Sequence, residues 1–186
     1  KTLRQLLYRF KYLKNILAVA HVKTIYYSLV ESRLRYAVLS WGGAAHCHLY
    51  PMDVLQKKIL KIIFNKKLDY PSNMLFSETG ILDVRQLFVH QIILYCFKHR
   101  SSMEKISHEY HTRYKSRNNV KIDLLHKNLS LRSHSYLSVK IYNFLPEIYK
   151  TYISNLNSIN LIKKKFKSYL VLLGREAVNK LVEIPF

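Results

Sequence analysis

The stretch from Val84 to Phe97 constrains this chain most. Val84, Leu87, Phe88, Ile92, Ile93, Leu94, Tyr95 and Phe97 place apolar side chains nearly all round a helix. Such a helix is stable only when other elements surround it. Asp83 offers an acceptor at its N-cap, and the pattern predicts a helix over 84–100. The rest of the chain must therefore supply amphipathic partners.

It does so at helical spacing. Leu3, Leu6, Leu7, Phe10, Leu13 and Leu17 predict a helix over 2–18, with Arg4, Arg9, Lys11 and Lys14 on other faces. Val22, Tyr26, Leu29, Val30, Leu34, Ala37, Val38 and Trp41 predict a second over 22–41, stopped by Gly42-Gly43. Pro51 suits a first helical position, and Leu55, Ile59, Ile62 and Ile63 continue that helix to 65. A short helical turn from Asn73 to Glu78 ends at Gly80. Residues 101–130 turn polar and basic and read as a loop, with one short strand near Val120 to Leu124. Helices over 134–144, 159–173 and 175–183 complete the pattern; Pro146 ends the first and Gly174 caps the second. The fold class expected is mainly α: a helical bundle with a basic central loop and room for one short strand pair. Its regions would be 1–70, a three-helix unit; 71–105, connecting helices; and 106–186, a C-terminal region.

Charge points to the partner. The chain has 31 Lys and Arg against 11 Asp and Glu, a formal net charge of +20. A hydrophobic content of 49%, with 15 Tyr and 8 Phe, excludes a disordered basic tail. A folded chain of this charge calls for a polyanion, with nucleic acid first and an anionic membrane surface second. No apolar run reaches the ~18 residues of a membrane span. No secretion signal stands at the start, and Cys47 and Cys96 are too few for a disulfide scaffold, so an intracellular setting is expected. The chain starts inside a helical pattern without Met, as a piece of something longer would.

Chemistry-bearing clusters are sparse. Asp53, Asp69, Asp83 and Asp123 are the only aspartates, and none adjoins another acid. Paired carboxylates for Mg²⁺ are missing, and the aspartates read as caps and solvated surface. His46-Cys47-His48 lacks a second ligand pair nearby and reads as a loop without metal. No glycine-rich phosphate loop is present. The basic side chains are the stronger signal. Arg33 and Arg35 flank the second helix; Lys57, Lys58, Lys61, Lys66 and Lys67 follow the third; Arg113, Lys115, Arg117 and Lys121 lie in the central loop. Lys163, Lys164, Lys165 and Lys167 decorate the last long helix. Such groups hold phosphates without reading sequence, and interleaved tyrosines can stack on bases.

Four stretches, in order, resemble the region after the catalytic palm in reverse transcriptases of non-LTR retrotransposons of the jockey-like kind. They are Ile25 to Tyr36 running on to Trp41-Gly42-Gly43-Ala44; Leu55-Gln56-Lys57-Lys58 with Ile62-Ile63; His108-Glu109-Tyr110-His111-Thr112-Arg113; and Ile141-Tyr142-Asn143-Phe144-Leu145-Pro146, followed by Phe166-Lys167-Ser168-Tyr169-Leu170. The resemblance implies a thumb at about 1–70 and a post-thumb region beyond it, gripping an RNA–DNA hybrid or a DNA duplex. It implies the remainder of the parent polypeptide as a partner, and a nuclear place of action on chromosomal DNA. It implies no cofactor in this chain, since Mg²⁺ belongs to the palm, whose Asp-Asp motif nothing here matches. The zinc knuckle of some members is likewise unmatched.

On that reading, Lys57, Lys58 and Lys61 contact phosphates along a minor groove. Arg33, Arg35, Lys66, Lys67, Lys163 and Lys164 add to the grip. His108, Tyr110, Thr112 and Arg113 form either a second contact or a structural clasp, in which Arg113 pairs with Glu109 or a helix C-terminus. A non-enzymatic helical interaction module is the rival, supported by the apolar helix at 84–97, part of which a fragment would expose. A third reading places the helix of Lys163 to Lys167 flat on an anionic membrane.

Overall fold

The computed structural model describes residues 2–103, 117–122, 127–156 and 158–182. The first repeat folds as α1 (Thr2–Ile16), with Leu6 and Phe10 buried and the basic side chains outward. The second repeat is interrupted, where one continuous helix was expected. It forms α2 (Val19–Tyr26), a π turn (Tyr27–Glu31), α3 (Ser32–Arg35) and the single turn α4 (Val38–Trp41). Spacing explains the π turn. Val22, Tyr26, Val30 and Leu34 are all buried at intervals of four. An α-helix repeats every 3.6 residues, so a strict four-residue stripe drifts round it. One wider turn restores the stripe to a single face.

Next comes α5 (His46–Ile63), which corrects two expectations. Its start is His46, so Pro51 lies inside the helix and faces solvent, where its ring removes one backbone bond. His46-Cys47-His48 is the first turn of this helix and not a loop. Gly42 and Gly43 follow the end of α4, as expected of a helix stop. Gly42 ends α4 with an ordinary right-handed backbone (φ −68°). Its role is close approach: a Cβ there would lie 2.3 Å from Phe88 Cδ2, and one on Gly43 would lie 2.3 Å from the Arg132 carbonyl oxygen.

The chain continues through α6 (Ser72–Thr79), ended by Gly80 in the left-handed region (φ 62°), to α7 (Val84–Lys98). After a 3₁₀ turn at Arg100–Ser102 come α8 (Asn128–Leu131), α9 (His134–Phe144), α10 (Glu147–Asn155), α11 (Ile159–Leu173) and α12 (Arg175–Val182). The mainly α class holds, and no strand is present among the described residues. The strand expected near Val120 to Leu124 falls partly outside those residues. Val120 is clasped by Asn143, whose amide accepts from its N–H and donates to its carbonyl, both at 2.8 Å.

As its composition requires, α7 is central. It packs against α3, α4, α9, α11 and α12, and eleven of its fifteen residues are buried. One core cluster runs from Leu6 to Val182. The chain's own helices thus cover most of α7. The apolar side of α11 is also occupied, with Ile162, Phe166 and Leu170 fully buried. Among the described residues no helix is long and apolar enough to cross a membrane.

Polar anchors lock these helices. Asp83 Oδ1 accepts from the Gln86 N–H at 2.7 Å, and Gln86 Oε1 accepts from the Asp83 N–H at 3.0 Å, a reciprocal cap on α7. Arg175 Nε donates to Asp83 Oδ2 at 2.5 Å, while its Nη2 donates to both oxygens of Asp53 at 3.0 Å. Asp53 and Asp83 were expected as caps or solvated surface. Asp83 is a cap, but both are buried and share one guanidinium. Arg85 donates to the carbonyls of Gly42 and Ala44 at 2.9 and 2.8 Å, fixing the link between α4 and α5 onto α7.

Removing one member of a buried ion cluster strands the others. Arg175→Ala should therefore lower the unfolding free energy by about 3–5 kcal/mol, at the low end because Lys57 still neutralises Asp53. Urea denaturation checks this, and adding Asp83→Asn should recover part of the loss.

Candidate nucleic-acid interface

Three elements build an open groove of about 570 Å³. Arg35 comes from the end of α3. His90, Leu94 and Lys98 come from one face of α7, at four-residue steps. Lys163, Lys164 and Lys167 come from α11, with Ile159 and Asn160 at its N-terminus. Among the described residues that line it, none is acidic.

His90 sets the geometry. Arg35 Nη1 lies 3.3 Å from His90 Nδ1, and the Lys163 carbonyl oxygen lies 3.1 Å from Nε2. A guanidinium only donates and a carbonyl only accepts. His90 is therefore the neutral tautomer with its proton on Nε2, and it ties α3 to α11 across α7. Burial first, and then the cations Arg35, Lys167 and Lys163, outweigh the carbonyl contact and hold its pKa down at about 4. Arg35 is shared, since its Nε also donates to Glu31 at 2.8 Å. Lys167 sits over the Tyr27 ring at 5.1 Å, and Lys98, Lys163 and Lys164 are exposed.

The N-terminus of α11 adds to this charge. Ser158, its N-cap, makes no side-chain cap bond. A helix N-terminus carries partial positive charge and ordinarily attracts acids. Here the first two turns carry Lys163 and Lys164 instead. The combined field favours an anion with several negative groups.

Of the predicted residues, Arg35, Lys163 and Lys164 meet in this groove. Arg33 is exposed elsewhere on α3, and Lys58 and Lys67 are exposed on and after α5. Other lysines are engaged within the chain. Lys57 pairs with Asp53 at 2.5 Å, Lys61 donates to the Leu68 carbonyl at 2.5 Å, and Lys66 pairs with Glu78 at 2.8 Å over the Tyr70 ring. His108, Tyr110, Thr112 and Arg113 lie outside the described residues. Sequence reasoning missed His90 and Lys98, although the 90, 94, 98 spacing marks one face. It noted Lys167 without placing it in the site.

No three His, Cys, Asp or Glu side chains gather as a metal site among the described residues. Cys96 is buried, and burial pushes its thiol up to about 12, a poor state for a ligand. Comparison with protein-family models, with curated proteins and with solved structures found no match for this chain.

The buried His90 links stability to pH. The unfolded chain takes a proton on His90 near pH 6.5, whereas the folded chain does so only near pH 4. Between these values the unfolded state binds more protons, so stability falls as pH is lowered. The full shift corresponds to ~3 kcal/mol. In His90→Gln, whose amide keeps both contacts, stability should decline less between pH 6.5 and pH 4 than in the parent; melts across that range compare the two.

Proposed function

We propose that this chain is the nucleic-acid-binding thumb and C-terminal part of a non-LTR retrotransposon reverse transcriptase, gripping template–primer through backbone phosphates. The observation that carries the proposal is the acid-free groove of Arg35, Lys98, Lys163, Lys164 and Lys167 on a chain of net charge +20. Exposed ammonium groups on a rigid helix suit phosphates at any sequence. The ordered motifs resembling that family support the same reading. Polymerase chemistry, its carboxylates and Mg²⁺ would then belong to the palm of the parent, acting at chromosomal DNA in the nucleus.

The test is fluorescence anisotropy against a labelled RNA–DNA hybrid across a salt series. Lys163→Ala with Lys164→Ala should shallow the log–log salt slope by roughly 2 units. Lys165→Ala is the control: it lies on the same helix, but its ammonium sits 3.7 Å from the Tyr152 ring centre, away from the groove. An unchanged slope in the double variant removes the groove from the interface.

A helical protein-interaction module is the second reading, and α1 favours it. Tyr8, Tyr12 and Ile16 are 79%, 70% and 60% exposed at four-residue spacing. If that face binds protein, Tyr12→Glu should abolish concentration-dependent association in sedimentation velocity while hybrid binding persists.

A further inference from the structure

The turn between α3 and α4 holds two aromatic side chains that the groove does not use. Ala37 takes φ 48° and ψ 25°, a left-handed conformation that side chains with a Cβ rarely adopt. Across this turn the Trp41 indole N–H donates to the Tyr36 carbonyl at 2.9 Å. The turn is thus fixed, and it leaves Tyr36 80% exposed. Strained backbone that presents an exposed aromatic ring calls for a functional explanation.

Beside Tyr36 lies an open cavity of about 410 Å³, lined mainly by apolar groups of Leu34, Trp41 and Met52. Arg33 and His48, both exposed, also line it, and among the described lining residues there is no carboxylate. An occupant should therefore be apolar across its body and anionic beside it. A nucleobase on its phosphate backbone has that form. The cavity and the phosphate groove both draw on α3 and the residue that follows it. Arg35 lines the groove, while Arg33 and Tyr36, on either side of it in the chain, line the cavity.

We infer that Tyr36 and Trp41 form a stacking shelf for an unpaired base at a single-stranded end of the nucleic acid held in the groove. The inference rests on the nucleic-acid reading and extends it from duplex backbone to an unpaired strand. The Trp41 N–H is already committed to the Tyr36 carbonyl, so the indole offers stacking surface without a free donor. Binding is then tolerant of base identity, as stacking platforms are.

Trp41 is the chain's single tryptophan, so its fluorescence reports this site directly. The full chain is titrated with a blunt RNA–DNA hybrid and with the same hybrid carrying a short single-stranded overhang. The overhang should quench Trp41 and the blunt hybrid should not. Tyr36→Ala should weaken overhang binding by about 5- to 150-fold, the range for losing one stacked base, and leave blunt-hybrid affinity unchanged. Tyr36→Phe should retain both. Because Tyr36 is exposed, the variant should melt like the parent. If Trp41 stays unquenched and Tyr36→Ala binds the overhang normally, the shelf is overturned while the groove stands on the blunt hybrid's salt slope. If neither hybrid binds, both readings fall. If a proline-rich peptide quenches Trp41 and the overhang does not, the cavity is a protein-docking site and the inference is overturned.

Discussion

A buried carboxylate is unfavourable unless a partner meets its charge. Asp83 is 2% exposed and Asp53 is 7% exposed, and Arg175 spans both. Burial raises the pKa of Asp83, against the opposing pull of Arg175 and of the Gln86 N–H. Asp83 acts twice, capping α7 and accepting from the guanidinium, so the start of the central helix, the middle of α5 and the start of α12 form one unit. Gln86 extends the unit to α11 by donating to the Leu170 carbonyl at 2.8 Å. Because α7 contributes His90, Leu94 and Lys98 to the groove, its axial position decides where those groups meet α11. The groove therefore depends on a charge cluster that faces away from solvent.

That dependence changes how the net charge is read. A surplus of +20 counts every cation alike, but the structure divides them. Lys57, Lys66 and Lys150 have partners within the chain: Asp53, Glu78, and the Arg117 carbonyl with the Asn119 side chain. Arg35 is intermediate, held by Glu31 and His90 yet lining the groove. Lys98, Lys163 and Lys164 project into water from rigid helices. Exposed charges on a fixed framework meet a polyanion directly, whereas paired ones would first have to give up a partner.

Local signals were legible wherever one residue type has one mechanical use. Asp83 before α7, Gly80 after α6, and Pro146 and Gly174 just beyond α9 and α11 marked their elements closely. Signals that arise from packing were not. The π turn exists because a four-residue apolar stripe must stay on one face, and a list of apolar positions hides that demand. Pro51 resembles a helix start, yet its exposed position lets it sit inside α5. Asp53 and Asp83 stand far apart in sequence and have no shared pattern, so only the fold reveals their common guanidinium. The groove was half legible: Lys163 and Lys164 stood out as a run, while His90 looked like one apolar-helix residue among many.

The short helix α3 joins these observations. The π turn before it sets the angular position of Arg35, and the left-handed Ala37 beyond it sets the course of α4 and so of Trp41. An α-helical course through 27–31 would rotate Arg35 away from His90, since a π turn and an α turn place later side chains at different angles. Tyr36 leaves α3 with an extended backbone (ψ 122°), and a right-handed Ala37 after it would send α4 and Trp41 in another direction. Both irregularities depart from the simplest helical path, and they flank the helix that contributes Arg35 to the cationic groove and Arg33 and Leu34 to the aromatic cavity. Their placement fits two binding surfaces that share one short helix, with phosphates held on the Arg35 side and an unpaired base on the Tyr36 side.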